Sequence, residues 1–140
     1  YGASILSSTG TAETFLHATE AIHGSLGQVE PGDVVIAISN SGGTAELLQT
    51  VDALLGYGAR LIGVVGNPTS ELAQKSDVIL DAGVSREGGP LELAPRASVA
   101  AEVMVLAALS AQLQAARDLS REEYGRRHPA GELGRRARKQ

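Results

Sequence analysis

The 140-residue sequence predicts an α/β fold: a three-layer αβα sandwich around a parallel sheet. Two observations carry that expectation. Short apolar runs recur at residues 14–17, 34–39, 61–66 and 78–82, and helical spacing of apolar residues fills the intervals, most clearly over 44–57. Strand–helix alternation at this spacing implies right-handed crossovers, parallel strands and helices on both faces of the sheet.

Taken in order, residues 3–6 read as the end of a helix. With Tyr1 rather than Met in first place, material is expected to be missing upstream. Residues 14–17 are the first expected strand, followed by His23. The second is apolar from Val34 to Ile38 and stops abruptly at Ser39. A helical pattern then runs through Leu47, Leu48, Val51, Leu54 and Leu55. Such a strand–turn–helix collects free backbone N–H groups and the positive end of a helix dipole at one point. Ser39, Ser41 and Thr44 add hydroxyls around it, which makes it a seat for a phosphate ester. Ordinary helix capping by Thr44 or Ser41 is the plainer alternative. Three hydroxyls within six residues, with Glu46 one turn into the helix, favour phosphate.

Beyond 61–66 lie a short helix at 70–75, the strand at 78–82 and a glycine-rich loop at 83–89. In parallel sheets ligands sit beyond the carboxyl ends of the strands. That is where 39–44, 66–69 and 83–89 all fall. After Pro95 a helix is expected from Ser98 to about Arg117, apolar almost all the way round from Val99 to Leu109. One sheet face cannot cover such a helix, so self-association is expected. No repeat or linker is visible, and one domain spanning 1–140 is the expected organisation.

Composition narrows the function classes. There is no cysteine, so disulfides and thiolate metal sites are excluded, and the chain suits a reducing cytoplasm. No uninterrupted apolar run reaches the ~18 residues of a membrane span, so no membrane partner is expected. The aromatics are Tyr1, Phe15, Tyr57 and Tyr124, too few for a base-stacking platform, and no nucleic acid is expected. Residues 1–116 hold 4 basic and 12 acidic side chains, whereas 117–140 hold 8 basic and 4 acidic. Glu122, Glu123 and Glu132 interrupt that basic tail, which reads as a solvated helical face.

Four further polar residues are candidates for chemistry. His23 lies just past the first expected strand and is otherwise a half-buried loop histidine. Glu46 either serves a ligand or complements the helix dipole. Glu87 sits between flexible residues, where a carboxylate can swing over a substrate, or where the loop merely connects. His128 lies in a turn shaped by Pro129 and Gly131 and is a general acid/base or a structural residue. None of these spacings is that of a metal site, and no metal is expected.

Several motifs taken together resemble the sugar isomerase (SIS) domain of the arabinose-5-phosphate isomerase family. They are Ser39-Asn-Ser-Gly-Gly-Thr-Ala-Glu46, Arg86-Glu87, Leu93-Ala-Pro95 with Ser98, and His128-Pro-Ala-Gly-Glu-Leu-Gly134. Ser8-Thr-Gly-Thr11 and Glu20-Ala-Ile-His-Gly-Ser-Leu-Gly27 extend the match over nearly the whole chain. The resemblance implies a flavodoxin-like SIS fold, N-terminally incomplete here, and cofactor-free interconversion of D-ribulose 5-phosphate and D-arabinose 5-phosphate on the way to a lipopolysaccharide sugar. It implies that Ser39, Asn40, Ser41 and Thr44 hold the phosphate. Glu87 would be the base, His128 the oxygen-side acid, and Glu46 and His23 orienting groups. It further implies a homotetramer or homodimer.

Three departures from the family pattern stand out. The family's Gly-x-Gly-Lys-Ser strand, with its active-site lysine, is absent, and poor isomerisation by the 140 residues alone is the expectation. Arg96 replaces a usual Thr. The regulatory CBS domains are also absent. The rival reading is a non-catalytic SIS module that senses a phosphosugar, and a third is an inactive fragment.

Overall fold

The structure is a computed structural model that describes residues 1–139. It divides into two compact units, residues 16–105 and residues 1–15 together with the described residues from 106 onward.

The first unit holds a parallel sheet of three strands in the order β1 (Val34–Ser39), β2 (Arg60–Val65) and β3 (Val78–Asp81). Val34 pairs with Arg60 and Ser39 with Val65, while Ile62 pairs with Val78 and Val65 with Asp81. Between the strands run α3 (Ala45–Gly56) and α4 (Glu71–Lys75), and ahead of them come α2 (Ala18–Ala21) and a 3₁₀ turn at Ser25–Gln28. Alternation places Ala37, Leu61 and Val65 on one sheet face, where they form the core with Val51 of α3 and Leu72 and Ala73 of α4. These six side chains are at most 4% exposed. Removing such area from water is what holds the unit together, at about 25 cal/mol per Å².

The expected strand at 14–17 is corrected: these residues are irregular and take no part in the sheet. A strand is defined by a ladder partner, and none of the three strands offers one to this segment. His17 instead caps α2, its Nδ1 accepting from the Thr19 N–H at 3.3 Å. The remaining strands and helices fall within a residue or two of their expected bounds.

In the second unit α1 (Gly2–Ser8) is joined to the distal half of α5 (Ala97–Ala116) by a buried hydrogen bond of 2.8 Å between Thr9 Oγ1 and Ser110 Oγ. The basic tail folds into α6 (Arg121–Arg127) and α7 (Gly131–Ala137). Ser120 and Glu123 form a capping box at the start of α6. Arg126–Glu122 and Arg135–Glu132 pairs lie on exposed surface, as a solvated face requires.

Helix α5 has no polar side. Val99 and Met104 stay 46% and 72% exposed. By length and composition the helix is also long and apolar enough to cross a membrane, which corrects the expectation that no segment is. That expectation counted uninterrupted apolar residues, and Glu102, Ser110, Gln112 and Gln114 break the run without lowering the helix's mean apolarity below that of a span.

Candidate functional site

The turn after β1 is built from its own side chains. Ser39 Oγ accepts from the Gly42 N–H at 3.1 Å and lies 3.1 Å from Thr44 Oγ1. Ser41 Oγ accepts from the Gly43 N–H at 3.3 Å. Gly42 has φ +64, and a Cβ there would run into the Ser70 side chain, so only glycine fits this position. Thr44 occupies the N-cap of α3, yet no side chain caps the helix. The first N–H groups of α3 therefore face outward with the positive end of the dipole, beside the exposed Asn40 and Ser41.

Neighbouring loops hold this turn in place. Gly66 N–H donates to Asn40 O at 2.9 Å and Leu72 N–H to Gly42 O at 3.0 Å. Asn67 Oδ1 accepts from both the N–H and the hydroxyl of Thr69, and Gly83 N–H donates to Asp81 Oδ1 at 2.7 Å. The three loops thus follow three parallel strands at one edge.

Glu46 is exposed in the first turn of α3. Its carbonyl and that of Ala18 both lie 2.9 Å from the hydroxyl of Thr50, which is 2% exposed. Thr50 so fastens α2, and the His23 segment behind it, to α3. Sequence reading passed over Thr50. Its signal was a hydroxyl on the stripe of Leu47, Val51 and Leu54, where a buried polar group needs a partner. His23 itself is exposed, with its N–H donated to Glu20 O at 3.0 Å.

Glu87 does not swing freely. Its Oε2 accepts from the N–H groups of Arg96, Ala97 and Ser98 at 2.7, 2.8 and 3.3 Å, closing the N-terminus of α5. The Arg96 guanidinium donates in turn to Gly88 O at 3.0 Å. Glu87 is held below the usual glutamate range. The Ser98 hydroxyl is the leading influence, although it completes no hydrogen bond of normal geometry, and burial partly opposes it before the backbone donors add theirs. Glu102 on α5 moves the other way, raised first by burial and then by the charge of Glu87.

His128 belongs to the second unit, where it ends α6. Its Nδ1 lies 2.9 Å from Tyr124 O, and its ring stacks on Tyr124 with centroids 4.1 Å apart. A carbonyl only accepts, so Nδ1 carries the proton and Nε2 keeps the lone pair in the neutral ring. Gly134 backs this arrangement, since a Cβ there would strike His128 O.

The structure brings Ser39, Asn40, Ser41, Thr44 and Glu46 to one turn and ties the segment carrying His23 to the same helix. Glu87 sits on the loop that follows β3. An open cleft of about 710 Å³ in the second unit, lined by Ser4, Ser7, Ser8 and Arg127 among others, contains none of the candidates. Among the described residues no group of three His, Asp or Glu side chains gathers as a metal centre would.

Comparison with known proteins gives the arrangement a context. The profile of the SIS domain matches residues 1–111. The chain is 43% identical over 134 residues to the arabinose 5-phosphate isomerase KdsD of Pseudomonas aeruginosa, covering 96% of this chain and 41% of that protein. It is 41% identical over 132 residues to the arabinose 5-phosphate isomerase GutQ of Escherichia coli K12, covering 94% and 41%. The chain thus spans about 41% of the length of these relatives. Among solved structures, Escherichia coli CFT073 c3406 in complex with arabinose 5-phosphate superposes with a TM-score of 0.87 at 40% identity, covering 91% of this chain and 68% of that one.

Proposed function

The chain belongs to the SIS domain family, and from that premise we propose that it is the sugar-phosphate domain of an aldose–ketose isomerase interconverting D-arabinose 5-phosphate and D-ribulose 5-phosphate. The observation that carries this reading is the turn at residues 39–44. Its hydroxyls crowd a helix start at the sheet edge that no side chain caps. Ser39, Asn40, Ser41 and Thr44 hold the phosphate there by charge-assisted hydrogen bonds.

The reaction moves a proton between adjacent carbons of the open-chain sugar. A base removes the C2 proton of the aldose, the electron pair forms the C1=C2 bond of an enediol, and the C1 carbonyl oxygen is protonated. The enediol then loses its O2 proton as C1 is reprotonated, which gives the ketose. No electron leaves the substrate, so no redox cofactor is required.

Glu87 suits the base by geometry: the backbone donors fix its Oε2, while Oε1 stands outside that set of bonds and is the oxygen left to take the proton. Nε2 of His128, opposite the anchored Nδ1, suits proton traffic at oxygen. Glu46 and His23 orient the sugar. The exposed apolar faces of α5 are covered in a homodimer or homotetramer, and the cytoplasm is the compartment that this chemistry fits.

Calorimetry with arabinose 5-phosphate, paired with exchange of its C2 proton in deuterated water, tests the reading. Binding together with exchange that disappears in Glu87→Gln is the expected result. Binding without exchange favours the phosphosugar sensor, and the absence of binding removes both readings.

A further inference from the structure

The Ser98 side chain is 1% exposed, and its Oγ is one of two buried side-chain oxygens without a partner among the described residues. An orphaned buried hydroxyl costs free energy that evolution has no reason to keep without a use for the donor. Its surroundings point to one. The N–H of the same residue is 3.3 Å from Glu87 Oε2, which places the Ser98 side chain beside that carboxylate. We propose that Ser98 is a positioning residue: its hydroxyl closes onto Glu87 as a fourth donor and fixes that carboxylate over the first turn of α5.

The charged groups around Glu87 explain why a neutral donor is placed there. On α5, Glu102 lies one helical turn beyond Ser98 on the same face, and Glu87 and Glu102 repel each other. Arg96 directs its guanidinium to Gly88 O, and on the loop Arg86 pairs with Glu92 at 3.6 Å. Both arginines are thus engaged away from the Glu87 carboxylate. Backbone donors and the Ser98 hydroxyl are therefore what set this carboxylate's charge against Glu102, keeping one group ionised while the other resists ionisation. The catalytic consequence rests on the reading of Glu87 as the base, but the contact itself does not.

The test is a pH titration of the glutamate side-chain carboxyl carbons by NMR on the full chain, with Glu87→Gln assigning the Glu87 resonance. In Ser98→Ala the Glu87 midpoint is expected to rise toward that of an ordinary glutamate. Ser98→Thr, which keeps the hydroxyl, is expected to retain the unmutated midpoint. Ser98→Cys, a near-isostere with a weak donor, moves it upward by less and serves if the alanine variant does not fold. A Glu87 midpoint unchanged in a folded Ala or Cys variant overturns the proposal. C2-proton exchange measured alongside separates the two claims: a shifted midpoint where no variant exchanges the proton supports the Ser98 contact and counts against the isomerase reading alone.

Discussion

The N-termini of α3 and α5 present the same orphan N–H groups and the same positive dipole end, and the chain treats them in opposite ways. At α3 the flanking hydroxyls are spent on one another and on glycine N–H groups, and no side chain caps the helix. At α5 a carboxylate supplied from nine residues upstream takes three successive N–H groups. A helix start left open beside exposed hydroxyls is available to an anion from solution, whereas one already filled by a glutamate fixes the glutamate. The difference teaches that sequence position at a strand's end does not by itself make an anion site. The occupancy of the helix start decides.

The strongest way to break the comparison is to deform the open end. Gly42→Ala introduces a Cβ at φ +64 and against Ser70, and is expected to destabilise the chain by about 2–5 kcal/mol in urea unfolding, from backbone strain and overpacking together. Phosphosugar binding should vanish with the turn. An unchanged unfolding midpoint would mean that the turn relaxes freely and is not the rigid cradle described.

Next in size, Ser41→Ala with Thr44→Ala leaves the backbone turn intact and removes two hydroxyls. Affinity for arabinose 5-phosphate measured by calorimetry should fall by about 1–3 kcal/mol per lost bond to charge. The same pair of changes should leave the α5 end untouched.

The closed end is sharpened by pH. Because Glu87 is depressed in the fold, its stabilisation is fully present above the ordinary glutamate value of 4.5 and is lost as pH falls through its lower folded value. Glu87→Gln should lower the urea midpoint near pH 7 and flatten this part of the acid slope. A slope identical to that of the unmutated chain would show that the carboxylate is not tied down.

Smallest is Glu102→Gln. A glutamate raised in the fold loses stability as pH climbs from its unfolded to its folded value, so the amide should be slightly more stable than the acid at neutral pH. A lower urea midpoint there would show that ionised Glu102 is stabilised by a cationic partner.

Much of this was legible in the sequence because local pattern and local structure coincide. The apolar run of β1 stops at Ser39 and the periodicity of α3 begins with Ala45, so the turn and the helix start could be read directly, whereas the choice between capping by Thr44 or Ser41 and an open end was decided by the fold. The segment at 14–17 failed as a strand because pairing is a property of two segments, and one stretch of apolar residues cannot declare its partner. Glu87 was legible as important and illegible in its engagement. The donors that hold it lie nine to eleven residues away across a glycine-rich loop, and no periodicity links them. Ser98 was quoted within a motif, but its burial and unpaired hydroxyl became visible only once α5 was in place.

The most direct measurement of the contrast between the two helix starts is a titration of the ¹⁵N-labelled chain, followed amide by amide, with arabinose 5-phosphate and separately with inorganic phosphate. The account predicts that inorganic phosphate alone gives saturable shifts confined to the turn and the first residues of α3, from Ser41 to about Leu47, with Arg96, Ala97 and Ser98 unmoved. The sugar phosphate should reproduce those shifts at lower concentration. Shifts under inorganic phosphate that centre on Arg96 to Ser98 and spare the α3 start would contradict it.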